Sequence, residues 1–365
     1  MLYVLWGVSL LGTLFLSITK NKSKNLHRIA MLGLFLFFWI LLGWSSGAYD
    51  VEIGISRYVN YQKFESFTEI GYNFLVILGH RIGLSYRQFF IICSFFEIAV
   101  MFWFVQKNSV KSSLVFFLFL IFPMVVYFQY IRNILAFSFV LIGLDSLINK
   151  KKAYIVKYVI FIILGATIHF NSIFFLLYLP FSFIKKRVAL LITFIAFLLL
   201  YSLSSIDFLA NILMEFLGEA KVDIVLGSAN DATGTFGRIF ALTFSILEFF
   251  VIYFFLKSFF KVPMDDEYTK IFFNINLLSF LFIPLTLNFG VGFARIPTLL
   301  AIFNYTFFVN KISLLKKQEN RIFLYIVLIL FLLGLFILNF RNLEYRQLTL
   351  YPFFENNELI NWIVG

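Results

Sequence analysis

Between Phe128 and Ser172 the chain reads FQYIRN, an apolar run, the basic knot NKKK, a second apolar run and HFNS. Two residues in this stretch could do chemistry. Arg132 carries a planar fork that grips a phosphate or carboxylate at two points. His169 titrates near neutrality and can move a proton. Neither is cheap to hold on a helix that faces lipid. The two apolar runs form a hairpin, which would place both side chains at one membrane depth.

Other residues extend this pair. Arg238 opens an apolar run, Arg295 lies at the outer end of another, and Arg57 and Arg81 sit in the polar stretch between the second and third runs. With Arg132 they could form a cationic pocket for a lipid-linked phosphate or pyrophosphate. The alternative is that they snorkel or pair with nearby acids. His169 could be a general base or orient an acceptor hydroxyl. It could equally be hydrogen-bonded at an interhelical turn, with Asn171 capping the next helix. His27 lies in a basic loop, and His80 stands beside Arg81. Glu97 and Glu248 fall mid-run, where a bare charge costs several kcal/mol. A proton or ion pathway is one reading; a neutral carboxyl tying helices together is the favoured one, since no lysine or arginine lies at matching depth. Asp145 is expected to meet the Lys150–Lys152 cluster.

The elements that position these residues follow from composition. The chain is 61% hydrophobic and 13% charged, with mean hydropathy +0.93. A soluble domain is about half apolar and a quarter charged. The apolar runs are about 17–22 residues long, the length of membrane-crossing helices and not of barrel strands. The expected fold is an all-α polytopic membrane protein, a single integral domain over 1–365. About twelve spans are read at 2–19, 29–46, 89–105, 113–128, 131–148, 154–168, 171–184, 188–205, 237–258, 270–288, 292–309 and 322–340. The runs at 154–168 and 171–184 are short, so broken or tilted helices are expected there. A stretch near 70–84 is too short to span and reads as an outer-surface or re-entrant helix. The first run has no basic flank before it and no small-residue cleavage site after it, which makes it a span and not a cleaved signal.

Orientation follows from charge. Loops on one side hold 20 of the 30 basic residues, comprising 17 Lys and 3 Arg, and that side is read as the cytoplasm. The other side holds 2 Lys and 8 Arg: Arg57, Arg81, Arg87, Arg132, Arg238, Arg295, Arg341 and Arg346. Lysine acts there as a topological charge, whereas arginine offers a binding fork. The outer face then carries loops at about 47–88 and 206–236 and the tail 341–365. The net charge of +11 is mostly cytoplasmic topology and no nucleic-acid footprint. One cysteine, Cys93, excludes a disulfide frame and a thiolate metal site. No P-loop, dinucleotide fingerprint or metal-binding cluster is present, so no metal or cofactor is expected and any substrate must arrive already activated.

The order Asp50, Tyr58, Tyr61, then EIGYNFL (Glu69, Gly71, Tyr72), FQYIRN, KKK and HFNS resembles the EpsG-like, Wzy-type polysaccharide polymerases of bacteria. The resemblance covers roughly 45–185, with echoes in FARIP (Phe293–Pro297) and YPFF (Tyr351–Phe354). Asn133 stands where the family usually has Gln, and Asn171 where Ser is common; both keep a hydrogen-bonding side chain. The resemblance implies a GT-C-like glycosyltransferase of the bacterial cytoplasmic membrane with an outward-facing site, serving O-antigen, capsule or exopolysaccharide synthesis. It implies transfer of a growing glycan from undecaprenyl pyrophosphate to a second lipid-linked repeat unit, with membrane lipid and a chain-length regulator as further partners. In that frame Arg132 and Arg295, with Arg238 and Arg57, take the pyrophosphate. His169 or an outer carboxylate, Asp50 or Glu69, activates the acceptor, while Tyr72 and Tyr130 stack on sugar and Asn133 contacts substrate. The rival readings are a lipid-linked oligosaccharide flippase or other transporter, and a membrane O-acyltransferase.

Overall fold

The computed structural model describes residues 1–18, 24–46, 49–60, 69–150, 152–203, 246–247, 249–289 and 295–364. Every regular element among them is helical. Among the described residues five helices are long and apolar enough to cross a membrane: Asn25–Gly43, Tyr86–Asn108, Ile131–Ile148, Glu267–Leu285 and Gln318–Phe340. Shorter apolar helices cover Leu2–Ile18, Ser112–Ile121, Tyr154–Ile168, Phe170–Phe183 and Phe249–Phe259. The chain is a multi-pass, all-helical membrane protein by this pattern. Its contacts group it into two compact units, Met1–Ser172 with Ala301–Gly365, and Ile173–Leu300.

The first unit begins with α1 (Leu2–Ile18), α2 (Lys24–Gly43), α3 (Tyr49–Val59), α4 (Ile70–Arg81) and α5 (Tyr86–Asn108). It continues through α6 (Ser112–Ile121), α7 (Met124–Tyr127), α8 (Ile131–Ile148) and α9 (Tyr154–Ile168). Helix α4 is the short non-spanning helix expected near 70–84. Helix α5 starts on a capping box, with Ser85 accepting from the Gln88 backbone and Gln88 from the Ser85 backbone. The run expected to span at 113–128 is divided instead. Helix α6 stops at Ile121, before Pro123, and α7 has only four residues. A ten-residue helix is about 15 Å long, half the hydrocarbon thickness. All of α6 from Ser113 to Ile121 is buried, which is why its sequence is apolar on every face. Phenylalanines fill this core: Phe38 is edge-on to Phe102, Phe116, Phe119 and Phe128 at 5.7–6.0 Å.

Helices α8 and α9 form the expected hairpin. They approach closely at Gly165, where a Cβ would lie 2.8 Å from the Ala136 carbonyl oxygen. The turn joining them uses left-handed backbone at Lys150 and Ala153, with φ of 43° and 56°. At this end Asp145 is fully buried and accepts from Lys107 at 2.8 Å, Asn108 at 3.2 Å and Asn149 at 2.9 Å. Lys107, on α5, is thus a lysine it meets across the bundle. Asn310 of the helix Ala301–Ser313 donates to the Asn108 carbonyl at 2.6 Å and extends the cluster. Helices α5 and α8 therefore run parallel, with lysines and amides at their C-terminal ends.

In the second unit the run expected at 171–184 is broken: a 3₁₀ stretch over Phe170–Leu177 leads into α10 (Tyr178–Phe183). Helix α11 (Lys186–Leu203) follows, then Glu267–Ser279 and Phe282–Phe289. The run 292–309 is divided between Arg295–Leu299 and Ala301–Ser313. The run 237–258 begins among residues outside those described.

Candidate active site

Glu69 is the focus of the site. It stands at the N-terminus of α4 with φ −139° and ψ 46°, and its side chain makes no cap hydrogen bond to that helix. A carboxylate at this position ordinarily accepts from the first free backbone N–H groups. Here Oε2 accepts from Arg132 Nη1 at 2.9 Å and from Arg57 Nη1. Glu69 is 3% exposed, and both arginine side chains are largely buried. Three charged residues from α3, the start of α4 and the first turn of α8 thus converge on one oxygen, with a net charge of +1. Burial strengthens such a cluster because water no longer screens it.

Gly71 makes this geometry possible. A Cβ on Gly71 would lie 2.2 Å from Thr167 Oγ1 and 3.1 Å from the Thr167 backbone carbon. Only a glycine lets the first turn of α4 lie against the end of α9. The Glu-x-Gly-Tyr segment therefore has three jobs: Glu69 meets the arginines, Gly71 allows the approach, and Tyr72 fills the core behind them. Tyr72 is 4% exposed among Val76, Phe89, Leu135, Ala136 and Ile168. Burial pushes its phenol well above the ordinary tyrosine range, so it stays protonated. Its ring serves here as packing. Tyr58 and His80 hold the other end of α4: their rings stack at 4.1 Å, and His80 Nε2 lies 2.7 Å from the Tyr58 carbonyl oxygen.

The mouth of the α8–α9 hairpin lies beside Arg132. His169 ends α9, its backbone N–H bonded to Gly165 at 2.9 Å. Its Nδ1 accepts from the Asn171 backbone N–H at 3.4 Å. In the neutral ring this bond leaves the proton on Nε2, so the imidazole presents a donor. Asn171 Nδ2 donates to Asn133 Oδ1 at 3.3 Å and closes the hairpin's open end. Asn133 is buried and Tyr130 is half-buried at the start of α8. The structure thus brings together Arg57, Glu69 and Arg132 in direct contact, and joins His169, Asn171 and Asn133 on the same hairpin. Asp50 lies on α3 with Arg57. Arg238 and Glu248 lie outside the described residues.

A clamp braces this site from behind, and only the YPFF tail hinted at it in the sequence. Arg87, at the start of α5, donates to the Gly43 and Ser45 carbonyls at 3.3 and 2.9 Å and pairs with Glu358. Asn357 Nδ2 reaches the Ile40 carbonyl at 3.0 Å, and the Glu358 N–H reaches Trp44 at 3.0 Å. Phe353 of the YPFF tail is buried against Phe128, with ring centroids 6.1 Å apart. The C-terminal tail therefore braces the end of α2 that leads into α3, and the segment that leads into Arg132.

Arg295 belongs to the second unit, where it opens the short helix Arg295–Leu299 and is half-buried. Its neighbour Ile296 lines an apolar cavity of about 240 Å³ together with Phe174, Tyr178, Leu278, Phe282 and Leu300. Ser279 is one of the few polar residues there. Among the described residues no group of three or more His, Cys, Asp or Glu side chains could hold a metal ion.

Neither the curated proteins nor the solved structures give a match to this chain. A protein-family model does: it matches residues 10–353 of 365, and the chain belongs to the EpsG family.

Proposed function

We propose that this protein is a polysaccharide polymerase that moves a growing glycan from undecaprenyl pyrophosphate to the non-reducing end of a second lipid-linked repeat unit. Family membership supports polysaccharide biosynthesis at a membrane. The observation that carries the finer reading is the buried convergence of Arg57 and Arg132 on a single anionic oxygen. Two guanidiniums holding one carboxylate can hold a phosphate in the same way. On this reading they bind the pyrophosphate and stabilise the charge that grows on it as the glycosidic bond breaks, a task worth roughly 10²–10³ in rate per donor. Arg132 also lies in the first turn of α8, where the helix dipole favours an anion. His169, through Nε2–H, is a hydrogen-bond donor to the pyrophosphate or the acceptor hydroxyl. Asp50 or Glu69 takes the acceptor proton on this reading. Within the second unit, the apolar cavity beside Ile296 has a lining that suits a hydrocarbon chain.

The site faces outward on this reading, at the arginine-rich ends of the helices in the bacterial cytoplasmic membrane. Tyr130 and Asn133 are further substrate contacts on this reading, Arg295 and Arg238 are proposed as substrate-binding residues in their own part of the chain, and a chain-length regulator is the further partner. O-antigen, capsule and exopolysaccharide are the product classes it would serve. The direct test is full-length protein in nanodiscs with a defined lipid-linked repeat unit, without added metal or nucleotide. A ladder of longer glycans is expected, and Arg132→Ala and His169→Ala should reduce it strongly; unchanged ladders from both variants would overturn the assignment.

One observation favours a second reading. Glu97, in the middle of α5, is 1% exposed, and neither carboxyl oxygen has a hydrogen-bond partner among the described residues. A transporter would use such a group for a proton or ion. The lipid fraction of a deletion strain separates the two: a polymerase mutant accumulates single repeat units outside, whereas a flippase mutant holds them inside.

A further inference from the structure

We infer that Glu69 is the site's resident anion: it occupies the Arg57–Arg132 fork until the substrate's phosphate displaces it, and displacement is what frees it to act as the base. This rests on the polymerase reading above. Three observations carry it. First, Glu69 Oε2 accepts from both arginines at once, so the fork that would bind phosphate is already filled by a carboxylate. Second, Glu69 holds a helix N-terminal position yet makes no cap bond to α4, so its side chain is drawn from its local partners to the arginines. Third, Glu69 is 3% exposed and its bonds to the two arginines are charge-assisted, so its carboxylate is covered from an incoming hydroxyl.

The consequence is an ordered site. A phosphate carries more charge and more acceptor oxygens than a carboxylate, so it competes for two guanidiniums with an advantage. Once displaced, Glu69 stands at the start of α4 next to the bound pyrophosphate. The acceptor hydroxyl oxygen then bonds the anomeric carbon, and its proton passes to the freed carboxylate. The bond from that carbon to the pyrophosphate oxygen breaks, and its electron pair leaves on the phosphate held by Arg57 and Arg132. Glu69 is covered while the donor is absent, which ties proton removal by Glu69 to donor binding.

The test measures inorganic pyrophosphate binding to the full-length protein in nanodiscs, by calorimetry, for wild type, Glu69→Gln, Glu69→Asp and Arg132→Ala. Removing the competitor's charge should tighten binding by about tenfold, as expected when a self-occupied state no longer reduces apparent affinity. Glu69→Asp, which keeps the charge but shortens its reach, should fall between wild type and Glu69→Gln, and it answers the question should Glu69→Gln fail to fold. Arg132→Ala should lose binding. In the ladder assay Glu69→Gln should lower the donor KM and lower kcat, a split that a merely structural role would not produce. Equal or weaker pyrophosphate binding by both Glu69 variants, with wild-type binding intact, would overturn the resident-anion role and leave the arginine–phosphate reading standing. Pyrophosphate binding by none of the proteins would overturn that reading and this inference with it.

Discussion

At the residue scale, the decisive feature is that two arginines share one carboxylate oxygen. Removing either leaves Glu69 with the other, so the stability cost should be modest, about 1–3 kcal/mol for one charged hydrogen bond. The functional cost should be larger. Arg132→Lys keeps the charge and loses the fork, and we expect polymer formation to fall at least tenfold while the unfolding temperature shifts by only a few degrees. Parallel thermal-shift and ladder measurements check this; equal losses in both would make Arg132 structural. Residue types were legible in the sequence here: arginine and histidine beside apolar runs mark themselves by their cost, and Glu69 stands out through the Glu-x-Gly-Tyr resemblance. Their pairing was not, because Arg132 and Glu69 are 63 residues apart and sequence order does not say which charge meets which. Tyr72 shows the converse. Its burial is readable from Tyr72, Val76 and Gly79, which fall on one helical face at i, i+4 and i+7.

At the element scale, α4 is placed by what it lacks. Gly71→Ala would drive a methyl group into Thr167, within 2.2 Å of Oγ1 and 2.9 Å of Cβ. Since α9 is fixed by α8, α4 must give way and carry Glu69 off the arginines. We expect Gly71→Ala to destabilise by about 1–3 kcal/mol and to reduce activity beyond that. Gly71→Ala/Thr167→Ala should recover part of both, a coupling that two independent sites would not show. The Arg87 clamp gives a second, graded expectation. Glu358 is half exposed, so Glu358→Gln should cost less than about 1 kcal/mol. Arg87→Ala also strips the Gly43 and Ser45 carbonyls of their donor and should cost more, read as the larger fall in unfolding temperature. Hydropathy found most of the long helices because length and apolarity are local properties. It could not find the break at Phe122–Pro123, where a continuous apolar run hides a change of direction set by tertiary packing, whereas the break within 171–184 was legible because that run is too short for a straight crossing.

At the scale of the whole molecule, the charge pattern of the sequence reappears as two chemically distinct ends of the first unit. Lys107, Asp145, Asn149 and Asn310 gather where α5 and α8 finish. Arg57, Arg87 and Arg132 lie where those same helices begin, and α5 is about 34 Å long, a full bilayer crossing. Lysine at one end and arginine at the other is what a topological charge opposite a binding fork would produce. If the proposed outward site is right, the arginine end faces outside and the lysine end faces the cytoplasm. Arg81 and Lys150 are both exposed, at opposite ends, which makes them suitable reporters. In a Cys93→Ser background, Arg81→Cys should react with a membrane-impermeant maleimide in intact cells, and Lys150→Cys only after the membrane is permeabilised. The reverse pattern would put the arginines in the cytoplasm, where flipped, lipid-linked repeat units are not presented, and the polymerase reading would fall. Labelling of both in intact cells would mean that the two ends do not lie on opposite sides of a sealed membrane, against the parallel course of α5 and α8.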